Sequence, residues 1–224
     1  KISSKKQVLG GAVLSYILIV LNAIYGMVIT PYILSRLGTE EYGVYKTIAA
    51  LSSALMVLDL GIGGTVTRYL AKYRAEKKEY EIPNFLALMF LETLIVVILV
   101  AAICCGVYFF IGPIYSNSFT TQQIGLAQKL FIILSASMIL HIVENVINGI
   151  ITGYNDFIFG NGVKLIRLLC RIVLVYIVLY IYPNSMALVL IDLAMTAFFL
   201  IVEVLWVFLK HKVRVKYDHF ERSL

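Results

Sequence analysis

Charge is scarce in this chain. Charged residues fill 14% of its 224 positions, about half the share usual in a soluble domain, while hydrophobic residues fill 61%. That balance leaves no stretch from which a soluble catalytic or nucleotide-binding domain could be built. No glycine-rich phosphate loop ending in Lys-Ser or Lys-Thr is present, and the run Gly61–Gly64 has neither the following lysine nor a preceding strand. No nucleotide-binding site is therefore expected in these residues. Cysteine is rare as well: Cys104, Cys105 and Cys170 all lie in apolar stretches, without metal-ligand spacing or any sign of a disulfide framework. They read as small packing residues, and no metal or cofactor is expected. A cleavable signal peptide is also missing, because the first apolar run is too long and lacks a small-residue cleavage pattern. No Met opens the chain and Lys216–Leu224 reads as a loop cut midway, so a fragment of a longer protein is expected.

What fills the chain is long apolar runs. A bilayer core about 30 Å thick needs about 20 helical residues to cross it. Six segments qualify: Val8–Leu34, Val44–Leu70, Asn84–Gly112, Ile124–Tyr154, Ile158–Tyr182 and Met186–Leu209. Barrel strands would alternate polar and apolar residues, whereas Leu94–Val100 is apolar on every side. The expected fold is all-α, a polytopic membrane protein with six transmembrane helices in one lobe.

The net charge of +6 is unevenly placed. Lys1, Lys5 and Lys6 precede the first span; Arg68, Lys72, Arg74, Lys77 and Lys78 lie between the second and third. Lys164 opens the fifth, and Lys210, Lys212, Arg214, Lys216 and Arg222 follow the sixth. The other side carries only Arg36, Lys46 and Lys129, and the loop Tyr182–Ser185 has no charge. The positive-inside rule puts both termini in the cytoplasm, and six crossings make the bias self-consistent. Tyr108, Phe109 and Phe110 mark one interface, Trp206 and Phe208 the other. Topology accounts for the basic clusters; nucleic acid is not an expected partner, and membrane lipids are. Gly38 should stop the first helix and Thr39 cap the next, with Glu40 and Glu41 complementing its dipole. Pro31 should bend the first helix near its outer end. Ala71–Lys78 is amphipathic and is expected to extend the second helix along the headgroups.

Seven ionisable residues interrupt these spans: Asp59, Glu92, Glu144, Arg167, Arg171, Asp192 and Glu203. Each costs roughly 2.5–3.5 kcal/mol at mid-membrane, so each needs a partner, a cavity or a pathway. In Leu58-Asp59-Leu60-Gly61-Ile62-Gly63-Gly64 an acid adjoins three glycines, which permit either close helix contact or a local break.

Three motifs at this point carry a family likeness. Leu37-Gly38-Thr39-Glu40-Glu41-Tyr42-Gly43-Val44-Tyr45, the Leu58–Gly63 run and Arg68-Tyr69-Leu70-Ala71-Lys72-Tyr73-Arg74-Ala75 resemble the polysaccharide transporter family. Its members are O-antigen and capsular repeat-unit flippases, related to murein-precursor flippases and multidrug extruders. The resemblance implies two pseudo-symmetric lobes around a central cavity, moving a polyprenyl-pyrophosphate-linked oligosaccharide across the cytoplasmic (inner) membrane. This chain would then be the N-terminal lobe, with a C-terminal lobe and polysaccharide polymerase or assembly proteins as its partners.

Lys164, Arg167 and Arg171 fall at i, i+3 and i+7, on one face of the fifth helix, and climb about 10 Å from the cytoplasmic rim. Guanidinium pairs bidentately with phosphate, so this track suits a pyrophosphate headgroup. The alternative is internal pairing. On the fourth span His141, Glu144, Asn145, Asn148 and Thr152 share a face, and across a connection over Asn155–Gly162 a Glu144–Arg171 pair is expected. Asn145 and Asn148 suit sugar hydroxyls or interhelical bonds. Asp59, Glu92, Glu144 and His141 are the coupling or gating candidates, Asp59 and Glu92 for an ion or proton and His141 as a proton carrier. Glu92 is otherwise placed to pair with Arg68 or Arg74, and Glu203 with Arg167. No catalytic residue is expected. Two other readings stand beside the flippase: a small-molecule or drug extruder, and an intramembrane transferase acting on polyprenyl lipids, for which the outer loops supply only amides and hydroxyls.

Overall fold

The computed structural model describes residues 4–59 and 61–211, and every regular element among them is helical. α1 (Ser4–Leu55) is divided at Gly38, the one residue inside it that leaves helical dihedrals, with φ 75° and ψ 168°. A 3₁₀ turn (Met56–Asp59) then leads to Gly61, and α2 (Ile62–Ala75), α3 (Ile82–Tyr115), α4 (Thr121–Gly153), α5 (Phe157–Ile181) and α6 (Ser185–His211) follow. α3 carries proline in its first turn, where no backbone N–H is needed. α4 opens with a capping box: Gln123 N donates to Thr120 Oγ1 while Thr120 N donates to Gln123 Oε1.

Four stretches are long and apolar enough to cross a membrane: Lys6–Ala75, Ile82–Tyr115, Thr121–Gly153 and Ser185–His211. The expectation of six separate spans is corrected on two counts. The first two expected spans are not separated by a loop; they form one 70-residue stretch, broken at Gly38 and again at Met56–Gly61. The fifth falls short on composition because Lys164, Arg167 and Arg171 crowd its length. Pro31 lies inside α1, and the helix is interrupted at Gly38 as expected. Two smaller corrections follow. Thr39 accepts no capping hydrogen bond among the described residues; Glu41 instead accepts one from Ser185 N, 2.6 Å away, and so ties α1 to the start of α6. α2 ends at Ala75, with Lys77 at positive φ, so the amphipathic extension stops short of Lys78. Lys1, Leu60, Lys212, Arg214, Lys216 and Arg222 lie outside the described residues.

α4 is the hub, packed against α1, α2, α3 and α6. One apolar cluster joins α2, α3 and α4 through Leu70, Leu86, Val100, Leu130 and Val146; a second joins α1, α5 and α6 through Ile29, Ile33, Val175, Leu179 and Met195. Lipid tails are as apolar as these side chains, so close contact rather than water exclusion holds such helices together. The α2–α4 seam shows how close. A Cβ on Gly63 would lie 2.5 Å from Asn145 O, and one on Gly149 would lie 2.5 Å from Gly63 O. Thr67 Oγ1 bridges the seam, donating to Gly63 O at 2.9 Å or Gly149 O at 3.2 Å.

Candidate functional site

The glycine run of the second span therefore does both things open to it. Gly61 adopts a left-handed conformation (φ 70°, ψ 27°) that ends the 3₁₀ turn, and Gly63 presses against α4. The break sits beside two polar openings.

The first is a cavity of about 310 Å³ enclosed by α1, α4, α5 and α6. Arg167 and Arg171 line it, with Asp192, His141, Thr196, Tyr45 and Ser52. Arg171 Nη2 donates to Asp192 Oδ2 at 2.8 Å, and its guanidinium carbon lies 5.4 Å from the Tyr25 ring centre. Arg171 Nε is buried without a partner. Arg167 donates to Glu144 Oε1 through Nη1 and to Thr196 Oγ1 through Nη2; Thr196 in turn donates to Asp192 O at 2.8 Å. His141 Nδ1 approaches Glu144 Oε2 to 2.9 Å, but the angle leaves that oxygen without a formed hydrogen bond.

These pairings differ from the expected ones. Glu144 binds Arg167, not Arg171, because α5 begins at Phe157 and the connection is only Tyr154–Asp156. Arg171 therefore lies about six residues, roughly 9 Å, deeper than a helix starting after Gly162 would put it, and Arg167 takes the place beside Glu144. Its partner comes from the other hairpin, α5–α6, where Asp192 stands within reach. The basic track is consequently ion-paired at two of its three positions. The third, Lys164, is exposed and lines neither opening.

The second opening lies at the helix break and is lined by Asp59, Thr67, Asn145, Asn148, Thr152 and glycine backbone. Asn145 Nδ2 donates to Asp59 Oδ2 at 3.1 Å. Asn148 Nδ2 donates to Glu203 Oε2 at 3.0 Å and to Glu144 O at 3.1 Å. Glu203 is 1% exposed and accepts this amide bond; no ion pair with Arg167 forms. Thus the two asparagines are separated from the arginines. Glu92 stands exposed on α3, without an ion pair among the described residues, and Arg74 turns instead to Gly153 O at 2.9 Å.

One cluster carried no signal in a residue-by-residue reading. Asp156, between α4 and α5, accepts from Lys210 Nζ at 2.8 Å and from Trp206 Nε1 at 3.3 Å, and meets His211 Nε2 at 2.6 Å. Tyr154 stacks on His211 with centroids 4.1 Å apart, and Arg74 lies 4.8 Å above Tyr154. Burial pushes the Asp156 carboxyl up, but the hydrogen bonds from Lys210, His211 and Trp206 outweigh it and hold the group below its usual range.

The fold is that of solved transporters. A MATE protein in complex with MaD3S matches with a TM-score of 0.80 at 18% identity, over 99% of this chain and 50% of that one. A MOP superfamily transporter from Pyrococcus furiosus, described as having a binding pocket of reverse polarity, matches at 0.74 and 17%, over 99% of this chain and 49% of that one. An outward-facing multidrug resistance MATE family transporter of the MOP superfamily matches at 0.72 and 16%, over 99% and 49%. The chain thus spans about half the length of these structures. No curated protein sequence matches it. Residues 8–222 match the family described as polysaccharide biosynthesis protein, and the chain belongs to that family. It is a multi-pass membrane protein with a transporter fold.

Proposed function

We propose that this chain is one lobe of a flippase that carries a polyprenyl-pyrophosphate-linked oligosaccharide across the cytoplasmic membrane for surface polysaccharide synthesis. On this reading the stretch Lys6–Ala75 crosses twice, turning at Gly38, and α5 crosses with Arg167 and Arg171 directed inward, giving six crossings with both termini cytoplasmic. A second lobe completes the pathway. The observation that carries the reading is the pair of guanidinium groups on one cavity, each held by a carboxylate.

An arginine already oriented by an acid loses little freedom when a phosphate replaces that acid. The pyrophosphate takes over Arg167 and Arg171, and Glu144 and Asp192 are released to find protons or other partners. Binding is thereby linked to a change in the contacts that hold α4, α5 and α6 together. Such differential contacts are what a ligand needs in order to shift a conformational equilibrium.

The test is export of surface glycan by cells carrying the full-length protein with Arg171→Ala, protein level being measured in parallel. Loss of export at normal abundance supports the reading, and normal export removes Arg171 from it. A drug extruder remains as a second reading for one specific reason: pairing neutralises much of the cationic track, and Asp192 with Tyr45 on the cavity wall suits an organic cation. Protection of cells against cationic dyes, abolished by Asp192→Asn with glycan export intact, would select it.

A further inference from the structure

The recess at the helix break has a chemistry different from that of the arginine cavity. Its volume is about 310 Å³, and no lysine, arginine or histidine lines it. Asp59 Oδ1 is buried there without a hydrogen-bond partner. Asn145 commits its amide donor to Asp59 Oδ2, and Asn148 commits its donor to Glu203 Oε2 and Glu144 O. Among the described residues neither amide oxygen receives a hydrogen bond. Thr67 has likewise directed its hydroxyl hydrogen at the Gly63 and Gly149 carbonyls. The recess therefore has a surplus of oxygen acceptors, one of them anionic, and its donors are already engaged. The recess adjoins the place where the 3₁₀ turn ends at Asp59 and α2 begins after left-handed Gly61, and breaks in membrane helices are where transporters hold ions.

We infer that this recess is a binding site for a monovalent alkali cation, sodium in the first instance, with the Asp59 carboxylate and the Asn145 and Asn148 amide oxygens as its side-chain ligands. All-oxygen ligation selects a hard cation. A single carboxylate balances one positive charge; a divalent ion would leave uncompensated charge within the membrane, which is strongly unfavourable. Bound sodium satisfies the orphaned Asp59 oxygen and crosslinks the break in the second helix to α4. The site stands apart from Arg167 and Arg171, and the inference does not depend on which cargo the cavity takes.

The experiment is a thermal melt of the full chain in detergent, in sodium chloride and in choline chloride at equal ionic strength, with ²³Na line widths recorded on the same samples. Sodium filling about four-fifths of the site raises Tm by roughly 2–4 °C. Asp59→Asn abolishes this rise, whereas Glu79→Gln, which alters an exposed carboxylate in the turn between α2 and α3, preserves it. Should Asp59→Asn fail to fold, Asn145→Ala takes its place, with a reduced sodium response expected. The ²³Na signal of the unmutated chain broadens and narrows again when excess lithium competes. Absence of both the rise and the broadening overturns the inference, as does an undiminished response in both Asp59→Asn and Asn145→Ala. Stabilisation that follows pH and is indifferent to sodium gives the carboxylate to a proton and also overturns it.

Discussion

Arg171 on α5 and Asp192 on α6 meet at 2.8 Å across a hairpin whose connection is only three residues long, Tyr182–Asn184. Each side chain is partly accessible, at 37% and 26%, because both open onto the cavity. The pair is thus neither a lipid-facing anomaly nor a sealed core contact. It is a charge pair available to a third party.

Removing one member leaves the other in a membrane interior without its partner. Arg171→Ala and Asp192→Ala should each destabilise the chain by about 1–3 kcal/mol. The double mutant should recover part of the loss, with a coupling energy of about 0.5–3 kcal/mol in a double-mutant cycle. Arg167→Ala combined with Asp192→Ala should couple less, since no ion pair joins those side chains and Thr196 links Arg167 to the Asp192 main-chain carbonyl alone. Denaturation in detergent measures all of these. Strictly additive losses for Arg171 and Asp192 would show that the contact carries no energy.

The α2–α4 seam gives a steric prediction. Gly63→Ala and Gly149→Ala each place a methyl group about 2.5 Å from a backbone carbonyl oxygen, where no flexible side chain can yield. Each should cost about 1–3 kcal/mol through overpacking and forced separation of the helices. Gly64→Ala, one residue away and facing open space, should be neutral or stabilising by up to about 1 kcal/mol through better helix propensity. Thermal melts of the three variants test this, and equal effects at Gly63 and Gly64 would argue against a tight seam.

Much of the architecture was legible because it follows from bilayer thickness. Runs such as Asn84–Gly112 and Met186–Leu209 fall within α3 and α6. Gly38 was marked as a helix stop and the Asp59–Gly64 run as a place for close contact or a break, since glycine next to polar residues disturbs a membrane helix in few ways. The pairings were legible only in part. The fifth span was placed to within one residue of α5, but taking Asn155–Gly162 as the connection set Arg171 about five to six residues too shallow, at the depth of Glu144, and periodicity along one helix cannot correct the register between two. The division of the polar residues into two openings was hidden for the same reason. Asn145 and Asn148 share a helix face with Glu144, yet their recess forms against α2, which comes so close to α4 because Gly63 and Gly149 lack side chains. The missed partner, Asp192, carried only a coarse signal: counted outward from the uncharged Tyr182–Ser185 turn, Asp192 and Arg171 fall about one helical turn apart in depth, close enough for long side chains to meet but not to single out the pair.

Glu203 permits a test of whether hydrogen bonding alone sustains a deeply buried acid. It is 1% exposed and accepts a hydrogen bond from the Asn148 amide. Glu203→Gln keeps both the volume and an acceptor oxygen, and should change stability by less than about 0.5 kcal/mol. Glu203→Ala removes the acceptor and opens a cavity, and Asn148→Ala removes the donor; each should cost about 1–3 kcal/mol. A large loss in Glu203→Gln would mean that the charge itself is needed there.

The Asp156 cluster predicts a pH response at the membrane surface. Its pKa is held below the ordinary aspartate value near 3.9, so the native state favours the carboxylate more than the unfolded state does. The stabilisation is therefore complete above that ordinary value and disappears as the pH falls through the depressed one. Within this window the contacts of Lys210, His211 and Trp206 with Asp156 weaken, and α6 loses its tie to the start of α5. Melts of the chain in detergent from pH 7 down to pH 3 should show an acid limb that is shallower in Asp156→Asn, with the variant already less stable at neutral pH. Fluorescence of Trp206, the single tryptophan in the sequence, reports the same event locally, because its ring stacks on Phe159 at 3.9 Å while its Nε1 donates to Asp156. Its emission should shift on acidification in the unmutated chain and remain constant over that range in Asp156→Asn. An identical acid limb and an identical emission shift in both proteins would place the acid sensitivity elsewhere.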